Sequence, residues 1–233
     1  MNKFLNVNYL NYRLHHLFNF EQIISRGNFK FLINKKIIPI YNLKGLILNF
    51  NKHEIDEIKL INKYILTYNT LELGCSIGVT SLNIKNKIKK MKLISIDGNS
   101  DAIKYCKILN KLNKFDIEFM HHVIGNKNLF STNSKNFLSS KSELNFDPKE
   151  ANDSIMFIQS LIDKEDIKSL VIDIEGMEKN ILQYLNLDNI RQIFIELHPM
   201  IYSLSDEKCI IDQLIQRSFA LVEKVNNNYY FEK

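Results

Sequence analysis

The sequence predicts an α/β domain built on a mostly parallel sheet, with helices on both faces and an antiparallel pair at the C-terminal end. Apolar runs that read as strands alternate with segments of helical period from residue 51 onward. Leu71-Glu72-Leu73-Gly74-Cys75-Ser76-Ile77-Gly78 closes one of those strands on an acid and two glycines that feed directly into a helix. Near the C-terminus, Phe219 to Val225 and Tyr229 to Phe231 flank three consecutive asparagines, the pattern of a hairpin.

Taken in order, residues 1–50 form a lead-in or cap ahead of a main domain at 51–233. Tyr9 to Ile24 reads as a short helix, and alternation in Phe29-Lys30-Phe31-Leu32 and Ile37-Ile38-Pro39-Ile40 reads as a hairpin. Ile55, Ile58, Ile61 and Ile65 keep helical spacing within Lys52 to Leu66, and Thr70 to Leu73 switches to a strand. A helix follows Gly78, then a strand at Lys92 to Ile96, a helix around Ala102 to Leu112 and a strand near Ile117 to Ile124. Leu170 to Ile174 is a strand, and Ile181, Leu182 and Leu185 mark a helix. Gln192 to Leu197 is the next strand, and Ile210, Ile211, Leu214 and Ile215 mark the last helix. Gly125 to Glu150 is rich in Ser, Asn and Lys, with Phe130, Phe137 and Phe146 spaced through it. It is either a substrate lid with aromatic contacts or a surface insertion pinned by those rings.

A chain of 233 residues with 45% hydrophobic and 24% charged residues is long enough for a sizeable core and is neither disordered nor membrane-embedded in character. The first twenty residues interrupt their apolar positions with Asn, Arg and His, which disfavours a secretory signal. No run is long enough to predict a membrane span. Cys75, Cys106 and Cys209 lack metal-type spacing and suit a reducing compartment, so a cytoplasmic protein is expected. Cys106 lies in helical phase with Ile103, a position for burial. The net charge of +5 comes from lysines scattered among asparagines and isoleucines, which disfavours a nucleic-acid face. The pairs His15-His16 and His121-His122 read as element ends rather than metal ligands.

Gly74 permits a tight turn after the strand, and Gly78 permits close approach of a ligand or helix. The spacing lacks the middle glycine that admits a dinucleotide pyrophosphate, which argues against a nicotinamide or flavin cofactor. Ile94-Ser95-Ile96-Asp97 ends the next strand with an acid placed to accept hydrogen bonds from both hydroxyls of a ribose. Together they point to a nucleoside-bearing cofactor. Val171-Ile172-Asp173-Ile174-Glu175-Gly176 ends a later strand with two acids, which point the same way while the chain stays extended. Glu196 and His198 repeat that spacing on the following strand, so four polar groups are expected to converge at the carboxyl edge of the sheet.

These segments resemble class I S-adenosylmethionine-dependent methyltransferases and, within them, the FkbM-type family of O-methyltransferases, over about Leu71 to Leu221. ELGCSIG is similar to the family's acid-x-Gly-Ala-Asn-x-Gly loop, IDGNS to its acid-Pro-Asn-Pro step, DIEGME to its Asp-x-Glu-Gly-x-Glu block, and IELHP to its Glu-Leu-His-Pro ending. Cys75-Ser76 stands where Ala-Asn is usual, Gly98 where Pro is usual, and Val171 where a Lys often precedes the Asp, so a mechanism that needs that lysine is disfavoured.

The resemblance implies a Rossmann-like fold with a seven-stranded sheet. It also implies S-adenosylmethionine held by Glu72, Gly74, Cys75, Ser76, Gly78, Asp97, Gly98 and Asn99, with His122 and Val123 bordering the adenine. The activity it implies is methyl transfer to a hydroxyl of a sugar, glycan or natural product. His198 is the expected general base, with Asp173 or Glu196 orienting it and Glu175 beside them. The alternative, ranked below it, is a divalent cation bound by Asp173, Glu175, Glu196 and His198. Simpler roles stand beside these: Glu175 and Glu178 as helix-start residues, and His198 as a turn residue before Pro199. The other functions weighed are an RNA methyltransferase, which needs a contiguous basic surface, and a non-catalytic cofactor-binding scaffold, which needs neither Asp173 nor His198.

Overall fold

The computed structural model describes residues 21–34, 37, 54–125, 130–131, 141–142, 148–199, 201 and 203–233. It begins with an antiparallel hairpin, β1 (Gln22–Arg26) and β2 (Phe29–Ile33). Next come α1 (Ile55–Tyr64), β3 (Thr70–Leu73), α2 (Val79–Ile88), β4 (Leu93–Asp97), α3 (Ser100–Asn113) and β5 (Glu118–His121). A short antiparallel pair follows, β6 (Phe130–Ser131) and β7 (Lys141–Ser142). The chain then runs through α4 (Pro148–Lys164), β8 (Ser169–Ile172), α5 (Glu178–Tyr184), β9 (Gln192–Glu196), α6 (Leu204–Gln216), β10 (Ala220–Val225) and β11 (Asn228–Glu232).

The main sheet has seven strands in the order β10-β11-β9-β8-β3-β4-β5. Strands β9, β8, β3, β4 and β5 are parallel, and β11 is antiparallel to both β9 and β10. From β3 the chain steps outward to β4 and β5, then returns to the other side of β3 with β8. That reversal makes the carboxyl end of β3 a switch point, where open α/β sheets hold their ligands. This is a Rossmann-like fold, mostly parallel and ending in a C-terminal antiparallel hairpin.

Period-2 alternation divides the strands between two hydrophobic layers. Phe119, Val171, Phe194 and Tyr230 face one layer with Leu60 and Ile61 of α1, Leu82 and Ile88 of α2, and Tyr105 and Leu109 of α3. Leu71, Leu73, Ile94, Ile96, Leu170, Ile172, Ile193 and Ile195 face the other, against α4, α5 and α6. The alternation also buries two polar side chains, Glu72 and Ser95, between β3, β4 and α2, where Ser81 of α2 meets them. Among the described residues no helix is long and apolar enough to cross a membrane.

At the N-terminus the sequence expectation needs correcting. Gln22 to Ile24, expected at the end of a helix, lie in β1, and β2 pairs with this upstream strand across Gly27-Asn28. Gly27 adopts φ +56, the left-handed conformation that a two-residue hairpin turn requires. Ile38 to Ile40, and the rest of the expected helix up to Phe20, lie outside the described residues. The hairpin packs on α3: Tyr105 donates its hydroxyl to the Leu32 carbonyl at 3.0 Å, and Asn113 exchanges two hydrogen bonds with the Lys30 backbone. In the 125–150 segment, Phe137 and Phe146 lie outside the described residues, while α4 begins inside that segment at Pro148.

Candidate functional site

Gly74 turns the chain off β3 at φ +91, and a Cβ there would lie 1.6 Å from the Asp173 carbonyl oxygen. Only glycine lets the loop cross the end of β8 this closely. The Gly74 and Cys75 amides both donate to the Ile96 carbonyl, at 2.8 and 3.1 Å. Ser76 follows with φ 46 and Gly78 with φ 78, which leads the chain into α2. Asp97, at the end of β4, fastens the loop: one carboxylate oxygen accepts the Ser76 N–H and the other the Asn99 N–H, both at 2.7 Å. Burial outweighs those bonds and pushes the Asp97 carboxyl up to about 6.

The remaining expected cofactor contacts have local partners. Glu72 is 1% exposed, beneath the loop. One of its oxygens accepts the Ser81 and Ser95 hydroxyls at 2.5 Å each, the other has no partner, and burial pushes its carboxyl up to about 7. Asn99 caps α3, its side-chain oxygen accepting the Asp101 and Ala102 amides. Cys75 is buried, and Cys106 donates its thiol to the Ser76 carbonyl at 3.3 Å. The Gly98 carbonyl lies 2.9 Å from His121 Nε2. His122 stacks on Phe157 of α4 with centroids 4.1 Å apart, and the Val123 carbonyl accepts the Ser154 hydroxyl.

A second group assembles at the ends of β8 and β9, which are parallel neighbours as their consecutive positions suggested. His198 Nδ1 lies 2.9 Å from Glu178 Oε1, while Nε2 lies 3.4 Å from Asp173 Oδ1 and 3.8 Å from Glu175 Oε2. The ring's hydrogen-bonded orienting partner is therefore Glu178, rather than Asp173 or Glu196. Asp173 and Glu175 converge through a turn and not through extended alternation: β8 ends at Ile172, and Glu175 adopts φ 51, left-handed and strained for a glutamate. Asp173, Glu196 and His198 each offer a donor atom within 4.8 Å of the other two.

Helix α1 brings acids that the sequence reading did not nominate. Thr80 Oγ1 lies 2.6 Å from Glu54 Oε2 and 2.7 Å from Glu57 Oε2, and Glu57 is buried. Burial, then the charge of Glu54, raises the Glu57 carboxyl well above its ordinary value. Burial also raises Asp173, followed by repulsion from Glu57, Glu196 and Glu175. The Asp173 side chain nonetheless remains 26% exposed, so solvent moderates its shift. For His198, burial lowers the imidazole, but the Glu178 hydrogen bond and the surrounding carboxylates outweigh it and leave it raised. That favours the protonated ring, the form unable to accept a proton.

No family model and no curated protein matches the chain. Its fold is similar to several solved structures. One is the tRNA (uracil-54, C5)-methyltransferase of Pyrococcus abyssi in complex with S-adenosyl-L-homocysteine, at 10% identity and TM-score 0.49, covering 91% of this chain and 42% of that one. Another is Aeropyrum pernix fibrillarin with natively bound S-adenosyl-L-methionine, at 10% identity and TM-score 0.47, covering 91% and 82%. A third is the M. jannaschii tRNA m1G37 methyltransferase, at 13% identity and TM-score 0.46, covering 91% and 56%. The chain thus spans less than two thirds of the first and third of these proteins. At such identities and TM-scores the assignment of the fold rests on the strand order itself.

Proposed function

We propose that this chain is an S-adenosylmethionine-dependent O-methyltransferase acting on a hydroxyl of a sugar, glycan or natural product. The observation that carries this reading is the junction of two sites at one sheet edge. The Gly74 loop, fastened by Asp97, passes directly over the backbone of Asp173, the first residue of the carboxylate–imidazole cluster. A cofactor loop and a proton-handling group are thereby held against each other at the switch point of β3.

The residues present fit the cofactor. Asp97 keeps acceptor capacity beyond its two amide bonds, as a ribose diol requires. Ser76 holds a buried hydroxyl oxygen with no partner. Gly74, Ser76 and Gly78, all at positive φ, shape the loop beside them. When bound, S-adenosylmethionine supplies an electrophilic methyl carbon, whose bond to sulfur breaks with the electron pair leaving on sulfur as the new oxygen–carbon bond forms.

The chain's own part is to align the acceptor oxygen and remove its proton. Alignment is worth up to roughly 7–11 kcal/mol in favourable intramolecular cases, and a positioned base adds about 10²–10⁴-fold. His198, the base nominated from sequence, has Nδ1 tied to Glu178 and Nε2 facing Asp173 at 3.4 Å, so both ring nitrogens are engaged and proton acceptance is assigned to a carboxylate. Glu175 is the group for this role: it is 31% exposed and its left-handed backbone turns it toward His198 Nε2. Asp173, Glu196 and His198 then position the hydroxyl. The carboxylates of this edge disfavour a polyanionic nucleic acid. The four segments similar to the FkbM-type family support a hydroxyl acceptor, and the free thiols Cys75, Cys106 and Cys209 support a cytoplasmic setting.

The test is transfer of a radiolabelled methyl group to a panel of sugars, glycans and polyhydroxylated natural products. Glu175→Gln is expected to lower the rate by about 10²–10⁴-fold without weakening S-adenosylhomocysteine binding. Labelling of RNA in place of every hydroxylated small acceptor would refute the assignment.

A further inference from the structure

We propose that Asp173, Glu196 and His198 bind a divalent cation of the Mg2+ or Mn2+ type, which holds the acceptor's hydroxyl oxygen. The three residues offer one donor each within 4.8 Å of one another. Asp173 Oδ1 and His198 Nε2 are 3.4 Å apart, near the roughly 3 Å that separates adjacent octahedral ligands at bond lengths of about 2.1 Å.

Two further observations point to a cation. Glu178, whose side chain is 0% exposed, supports the imidazole from behind: its carboxylate oxygen faces Nδ1 at 2.9 Å and also accepts the Gly176 N–H at 3.2 Å. A carboxylate in that place holds the proton on Nδ1, so that loss of the Nε2 proton to an incoming cation leaves the Nε2 lone pair facing Asp173, the arrangement that orients metal-ligating histidines. On the opposite side, the Asp173 side chain is 26% exposed but its Oδ1 atom is buried and makes no hydrogen bond, with His198 Nε2 facing it at 3.4 Å, so coordination would satisfy it. Two carboxylates and one imidazole form a largely hard donor set, suited to Mg2+ or Mn2+ rather than to a thiolate-seeking metal. A cation at Nε2 replaces any proton there. Three protein ligands leave positions for water and for the acceptor oxygen, whose proton becomes more acidic on coordination and passes to Glu175, while the cation's own charge is unchanged.

The use of the cation rests on the methyl-transfer reading, but its binding does not, so the experiment uses the resting chain without cofactor or acceptor. Mn2+ is titrated into the protein and free Mn2+ is followed by electron paramagnetic resonance. The expected result is one site, weakened at least tenfold by Asp173→Asn and by Glu196→Gln, and unchanged by Asp163→Asn on the exposed face of α4. Circular dichroism identifies any variant that has not folded, and the other variant then decides. Failure of the wild-type chain to bind Mn2+ at millimolar concentration, or equal binding by the folded variants, overturns the site. Calorimetry with S-adenosylhomocysteine on the same samples reports the cofactor site separately, so loss of one does not imply loss of the other.

Discussion

Replacing Glu72 with glutamine is expected to remove a pH-dependent instability built into the centre of the sheet. Burial pushes the Glu72 carboxyl from an ordinary 4.5 to about 7, although Ser81 and Ser95 both donate to one of its oxygens. Because the folded value is the higher one, the unfolded chain releases this proton first. The stability it contributes is therefore complete below 4.5 and is lost progressively as the pH rises to about 7. At about 1.4 kcal/mol per pH unit, that interval amounts to about 3 kcal/mol. Urea unfolding of wild type and Glu72→Gln at a series of pH values from about 4.5 to 8 measures it. The amide cannot titrate, so the stability difference between the two proteins should shift by about 3 kcal/mol in favour of the variant across that range. The absolute difference at any one pH includes the cost of placing an amide beside two serines, but that cost is constant and cancels. Parallel stability curves would show that Glu72 is already ionised in the folded protein and would refute the reasoning.

Other substitutions probe the carboxyl edge of the sheet and the start of α6. Gly74→Ala forces a methyl group against the Asp173 carbonyl and disturbs the Asp173 N–H bond to the Leu73 carbonyl. Backbone strain, overpacking and the lost bond sum to about 3–6 kcal/mol, readable by urea denaturation. Since only the ionised form of Asp97 offers both oxygens to a ribose, S-adenosylhomocysteine affinity should fall as the pH drops through about 6, approaching tenfold per pH unit, and Asp97→Asn should abolish that dependence. Ser203 completes a capping box with Asp206 at the start of α6, so Ser203→Ala should cost about 1 kcal/mol of stability by thermal or urea melts.

What could be read from the sequence depended on how local each signal was. The alternation of Leu71-Glu72-Leu73 and Ile94-Ser95-Ile96 placed β3 and β4, and the C-terminal asparagines placed the hairpin. The helical spacing of Ile155, Ile158, Leu161 and Ile162 was equally present, but the polar composition just upstream obscured the start of α4. The pairing of β2 with β1 was missed because Gln22 to Ile24 read as the end of a helix, which hid the two-residue turn at Gly27-Asn28. Glu178 resembled an ordinary helix-dipole residue, and only the packing of α5 behind His198 shows it fully buried against the ring. Glu54 and Glu57 carried no nearby motif. Their approach to the site depends on α1 docking against α2 through Thr80, a contact across more than twenty residues that no local period encodes.

Calorimetric titration of S-adenosylhomocysteine into the wild-type chain and into Asp97→Ala tests the central claim most directly. A methyltransferase built as described binds the ligand, and the variant, deprived of the carboxylate at the end of β4, loses that binding or retains it only weakly. A folded wild-type chain that binds no S-adenosylhomocysteine, or an Asp97→Ala variant that binds it equally well, would contradict the assignment of this edge as the cofactor site.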